Sequence, residues 1–217
     1  MTQFNALMGG LFILTAFGIV GLRQIIGSLR LFVAQSVLLA GSAFIIGLTH
    51  GSIHLLVVAG IVLIVKSFFI PWLLYRVLSH ELHARREIAQ ALDVPTSLLL
   101  AAGLTVIAYF IVNPLLKVVS DPFIRINLPV GMAGVLLGAY AVAVRREALP
   151  QLLGILTMEN GAFFAGVSIA PDLSLLAELA AAFDVLIIAL VVGLLTRRIQ
   201  KQVGTTRVGE MARLKEE

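Results

Sequence analysis

Hydrophobic positions in this chain come in long unbroken runs, separated by short polar stretches that hold most of the charge. Seven runs stand out, at roughly 4–22, 29–47, 53–74, 96–116, 129–144, 149–170 and 173–195. A helix needs about 20 mostly apolar residues to cross the hydrocarbon core of a bilayer. The run at 129–144 is the shortest. Lipid offers the backbone no hydrogen-bond partner, so only helices and closed barrels cross it. Barrel strands alternate apolar and polar residues, whereas these runs are continuous. The pattern predicts an all-α, polytopic integral membrane helix bundle of about seven transmembrane helices.

Composition agrees. The chain is 59% hydrophobic and 13% charged, against about 25% charged in a typical soluble domain. Its mean hydropathy is +1.03. The net charge of +4 raises the question of nucleic acid, but the placement of the charges argues against it. Arg23, Arg30, Arg76, Arg85, Arg86, Arg145, Arg146, Arg197, Arg198, Lys201, Arg207, Arg213 and Lys215 all follow odd-numbered runs. Lys117 and Arg125 alone fall on the other side, and Lys66 lies within a run. The positive-inside rule then puts the C-terminus in the cytoplasm and the N-terminus outside. No basic stretch precedes the first run, which reads as a retained helix and not a signal peptide. The chain has no cysteine, which excludes disulfides and thiolate-held iron–sulfur clusters.

The organisation that follows is four N-terminal helices in 1–125 with a cytoplasmic loop at 76–95, three helices in 126–200, and a cytoplasmic tail at 201–217. Leu78, Leu82, Ile88 and Leu92 recur near helical spacing in the loop. They predict a helical extension at the interface or against a partner, with a solvated connector as the alternative. The stretch "KVVSDPFIRINLP" carries two prolines and reads as an irregular outer crossing.

Three ionisable residues fall deep within runs: Lys66, Glu159 and Asp184. A charge at the bilayer centre costs about 2.5–3.5 kcal/mol on insertion scales, so it faces other helices or water and marks function by default. The three together read as a proton relay at the midplane. A static buried salt bridge is the bland alternative. Asn160 shares a helical face with Glu159, Gln35 and Ser36 are milder polar candidates for the same track, and Glu178 marks an outer opening or snorkels to water. Pro71 removes the backbone bond to the Ser67 carbonyl, giving either a hinge beside Lys66 or a tolerated kink near the inner end. Gly134 with Gly138, and Gly161 with Ala165, are small-xxx-small pairs that let helices approach closely. "SHELH" has one residue too few between Glu81 and His83 for a zinc-protease motif, so no metal or other cofactor is expected in this chain.

"LLGILTMENGAFF", "AAAFDVLIIALVVGLLTRRIQ" and "VKSFFIPWLLY" together resemble component E of hydrogenase 4, a membrane subunit of formate-hydrogenlyase-type complexes. The resemblance covers nearly the whole chain. The last three runs and the tail, including "RVGEMARLK", look like the small complex I subunit NuoK and its antiporter relative MrpC. That makes 126–200 a NuoK-like unit. NuoK-type subunits carry a glutamate in each of their last two helices on the proton route. The first of these positions falls on Leu156, with Glu159 one turn later on the same face. The second falls at Phe183 or Asp184. The resemblance implies a non-redox subunit of a complex I-like assembly in a bacterial or archaeal inner membrane. Its expected partners are lipids, antiporter-like and quinone-module-like membrane subunits, and a cytoplasmic hydrogenase arm. Nickel–iron and iron–sulfur centres are expected only in those partners. A free-standing proton-coupled transporter and a purely structural adaptor are the alternative functions.

Overall fold

The computed structural model describes residues 1–75 and 90–170. Among them are six helices long and apolar enough to cross a membrane, and no strand. They are α1 (Thr2–Gly21), α2 (Ile25–His50), α3 (Ile53–Tyr75), α4 (Val94–Leu116), α5 (Pro122–Val144) and α6 (Ala148–Ile169). The fold class is the one expected. The run at 173–195, with Glu178 and Asp184, lies outside the described residues, as do the tail at 201–217 and most of the loop at 76–95.

Short connections make neighbouring helices antiparallel. The tightest joins α2 to α3. Gly51 adopts φ +65° and ψ 24°, a left-handed conformation that L-residues with side chains avoid. The Gly51 and Ser52 N–H groups then both reach the Gly47 carbonyl. Ser52 starts the next helix by accepting from the Leu55 N–H through its hydroxyl.

One boundary differs from the sequence expectation. Helix α5 begins at Pro122, so most of "KVVSDPFIRINLP" is helical and not an irregular crossing. Asp121 accounts for this: its carboxylate accepts from the Phe123 N–H at 2.7 Å and caps the helix. Pro122 at the first position has a preset φ and needs no donor there. Pro129 is carried inside the helix. Hydropathy alone misses the first two turns because Arg125 and Asn127 lower the local average.

Helices α5 and α6 form the closest pair, and glycine makes that contact possible. A Cβ at Gly138 would stand 2.5 Å from the Met158 nitrogen, and one at Gly161 2.5 Å from the Val135 nitrogen. One at Gly134 would meet the Gly161 Cα at 2.9 Å, and one at Gly131 the Ala165 Cβ at 2.6 Å. The seam continues at Gly154, where a Cβ would lie 2.9 Å from the Val142 nitrogen. Backbone therefore packs directly on backbone, the arrangement that drives association where lipid removes the hydrophobic incentive. Helices α1, α2 and α3 close the bundle on one side of this seam. Helix α4 is peripheral, touching α1 and α5 and leaving Leu99, Tyr109 and Phe110 on the outer surface.

Candidate functional site

The fold brings two of the three deep ionisable residues together. Lys66 on α3 is wholly buried, and its Nζ lies 2.9 Å from Glu159 Oε1 on α6. Glu159 sits near the middle of α6 and keeps 17% of its side chain exposed. Asp184 is outside the described residues, so the structure describes a pair.

Local backbone places the lysine. Val65–Phe69 form a turn of π-helix within α3, and the Ile70 N–H donates to the Val65 carbonyl five residues back. Pro71 has no N–H to close the ordinary α-helical bond to Ser67. The wide turn is where that defect is absorbed, and the helix runs on through it to Tyr75. π-turns inside α-helices are frequent at functional sites. This one carries Lys66 itself.

Asn160 ties the pair to a third helix. Its Oδ1 accepts from Lys66 Nζ at 3.2 Å. Its Nδ2 donates to Gln35 Oε1 and to Ser36 Oγ on α2, both at 3.2 Å. The Ser36 hydroxyl donates to the Phe32 carbonyl at 3.0 Å, leaving its lone pairs for Asn160. The amide is thereby oriented: oxygen toward the ammonium, nitrogen toward the two acceptors. The ring of Phe163 adds a face 5.0 Å from Nζ. Gln35, Ser36 and Asn160 are all fully buried. Among the described residues the buried cation has one carboxylate, one amide oxygen and one aromatic face around it. That set can hold the lysine charged. It also sets amine and carboxylate 2.9 Å apart, close enough for a proton to pass directly between them. Gly134, Gly138, Gly161 and Ala165 lie in the α5–α6 seam that fixes the helix bearing Glu159.

Two further polar constellations were not singled out from the sequence. The first joins α1, α2 and α5. Asn5 Nδ2 donates to Asn127 Oδ1 at 2.7 Å, Ser42 Oγ to Asn5 Oδ1 at 2.6 Å, and Asn127 Nδ2 to Ser42 Oγ at 3.1 Å. All three residues are fully buried. The available signal was an asparagine inside the first apolar run and another just before the fifth, together with Ser28, Gln35 and Ser42 at seven-residue spacing on α2. The second is Arg145, counted from sequence among the cytoplasmic charges but only 3% exposed. Its guanidinium donates to the Ile19, Val20 and Leu22 carbonyls at the end of α1. Burial pushes its pKa down to about 10, with the Glu147 charge opposing the shift, so it remains a cation at neutral pH. Gln90 joins it by donating to the Val20 carbonyl at 3.2 Å, and the Ala91 N–H donates to the Val144 carbonyl at 3.0 Å. Among the described residues no group of three or more His, Asp or Glu gathers as a metal site.

Comparison with known proteins finds relatives along the whole chain. It is 31% identical over 209 residues to the uncharacterized protein Rv0085 of Mycobacterium tuberculosis, spanning 96% of this chain and 94% of that one. It is 26% identical over 214 residues to hydrogenase-4 component E of Escherichia coli, spanning 96% and 95%. The same component of Shigella flexneri matches equally. No family model matches, and no solved structure does.

Proposed function

The chain belongs to the family that includes Rv0085 and is distantly related, over its full length, to hydrogenase-4 component E; from that premise we propose that it is a non-redox membrane subunit of a complex I-like respiratory assembly. The assembly is of the hydrogenase-4 type, in the inner membrane, with this chain's C-terminus in the cytoplasm. Its neighbours are antiporter-like and quinone-module-like membrane subunits and a cytoplasmic hydrogenase arm. Nickel–iron and iron–sulfur centres belong to those partners. This chain contributes a proton step through Lys66 and Glu159, with Asp184 as the third member of the relay and Asn160 and Gln35 as its polar support.

The observation that carries this reading is the buried Lys66–Glu159 pair in the interior of a bundle of membrane-length helices. Ion pairs at such depth are costly and mark ion or proton pathways. One observation favours a structural adaptor instead: Lys66 and Asn160 are wholly enclosed and mutually bonded, as a fixed bridge would be. Mild detergent extraction of the native membrane tests membership. Co-purification with iron–sulfur proteins and other polytopic subunits is the expected result. A chain that runs alone or as a homo-oligomer would point to a free-standing transporter and contradict the proposal.

A further inference from the structure

The two buried polar clusters stand at different heights in the same bundle, and α2 passes through both. Gln35 and Ser36 belong to the ion-pair centre, and Ser42 to the asparagine cluster. Seven residues of helix, from Gln35 to Ser42, span about 10 Å. The asparagine cluster is nearer the face that bears Met1, His50 and Asp121. Asn5 is one turn from the start of α1, and Asn127 is in the second turn of α5.

Hydrogen-bonding capacity along α2 is not used up. Gln35 Nε2, in the ion-pair centre, and Ser28 Oγ, two turns farther from Ser42, are buried with no hydrogen-bond partner among the described residues. Buried polar atoms of this kind are ordinarily satisfied by internal water.

Between the clusters lies a single apolar layer. Leu39 follows Ser36 by three residues and precedes Ser42 by three. Phe164 is one turn beyond Asn160, and its ring stands 4.6 Å from that of Phe12. All three are fully buried and pack in one cluster with Val58 and Val62. On the opposite side of the ion pair, Leu29, Phe32, Ile70, Leu74, Leu152 and Leu156 belong to one continuous cluster. Among the described residues the Phe12–Leu39–Phe164 layer separates the pair from the asparagine cluster.

We infer that Asn5, Ser42 and Asn127 form a water-binding station on an access path to Lys66 and Glu159, and that Phe12, Leu39 and Phe164 are the hydrophobic gate between them. A narrow apolar constriction stays dry while closed and admits water when it widens. The path opens toward the face bearing Met1, His50 and Asp121. This inference rests on the reading of the ion pair as a proton site, but its test needs no turnover.

The chain has no cysteine, so an introduced thiol is the only one it carries, and the same complex with the unsubstituted chain gives the background from its partners' cysteines. Single variants Ser42→Cys, Ser36→Cys and, as a lipid-facing control, Phe44→Cys are placed in the assembled complex in sealed vesicles. Silver ion, a small thiol-reactive cation, is added from each side in turn. Thiol reaction requires ionisation, which water supports and lipid does not. Ser42→Cys is expected to react from the N-terminal face and Phe44→Cys not to react. Ser36→Cys is expected to react slowly, and at least about tenfold faster once Leu39→Ala or the milder Phe12→Leu widens the constriction. Assembly of each variant is checked on native gels, and the milder substitution serves where the larger cavity prevents folding. A Ser42→Cys as inert as Phe44→Cys overturns the station. A Ser36→Cys rate unchanged by either widening, or access only from the opposite face, overturns the gate. Loss of the proton reading itself would appear in pumping measurements and leave these accessibilities untouched.

Discussion

The Nζ of Lys66 and the Oε1 of Glu159 lie 2.9 Å apart, with the lysine wholly buried. The lysine charge has no solvent of its own. Removing one partner of a buried pair strands the other and typically costs about 3–5 kcal/mol, whereas replacing both by apolar residues is often nearly neutral. Lys66→Met is therefore expected to destabilise the bundle by about that amount. Lys66→Met combined with Glu159→Leu is expected to restore much of it. Unfolding curves of the purified chain in detergent measure both, and additive losses would argue that the two residues do not interact.

Asn160 bonds to Lys66, Gln35 and Ser36 at once. Interhelical hydrogen bonds within membranes average only about 0.6 kcal/mol each, because the unfolded state also finds partners. Three lost together, with acceptors left buried, bring Asn160→Leu to about 2 kcal/mol. The same unfolding assay reads it. A neutral result would mean that the amide is not what joins α2 to the ion pair.

The glycines separate into two kinds. A Cβ at Gly161 would collide with the backbone of α5, while one at Gly103 would meet nothing within 4 Å. Gly161→Ala should then lose roughly 1–3 kcal/mol through overpacking. Gly103→Ala, on α4, should be neutral or gain up to about 1 kcal/mol, the usual advantage of alanine within a helix. Paired melting curves of the two variants distinguish a packed seam from a generic helix-propensity effect.

Arg145 closes the end of α1 by donating to the Ile19 and Val20 carbonyls within it and the Leu22 carbonyl just beyond. Lysine has one ammonium in place of the planar fork and cannot reproduce that geometry. Arg145→Lys and Arg145→Met should both lose about 1–3 kcal/mol, the cost of leaving buried acceptors unpaired. Faster amide exchange at the end of α1, and at Gln90 and Ala91, is the local signature to measure. Unchanged exchange there would contradict the capping role.

Most of the helical architecture was legible because hydropathy and helix length report one physical requirement, that of crossing lipid. The starts of α1 to α4 and α6 fall within a few residues of the run boundaries, while α5 was misread at its charged first turns. Lys66 and Glu159 were visible as charges at the wrong depth for lipid. Their direct contact was not, since it depends on a π-turn rotating Lys66 and on a glycine seam setting the position of α6. The Asn5–Ser42–Asn127 cluster escaped notice because single amides and hydroxyls barely alter a hydropathy average. Their meaning appears only when three distant stretches converge. Arg145 was read as a surface charge because counting by loop cannot tell a solvated guanidinium from one turned back onto a helix end.

Proton pumping coupled to turnover tests the central claim most directly. Inverted vesicles carrying the assembled complex are compared with wild type and with Glu159→Gln, after confirming that the variant complex is intact. The account predicts that catalytic electron transfer continues or slows while proton uptake per turnover falls. Full pumping stoichiometry in an intact Glu159→Gln complex would contradict it, leaving the Lys66–Glu159 pair as a structural bridge.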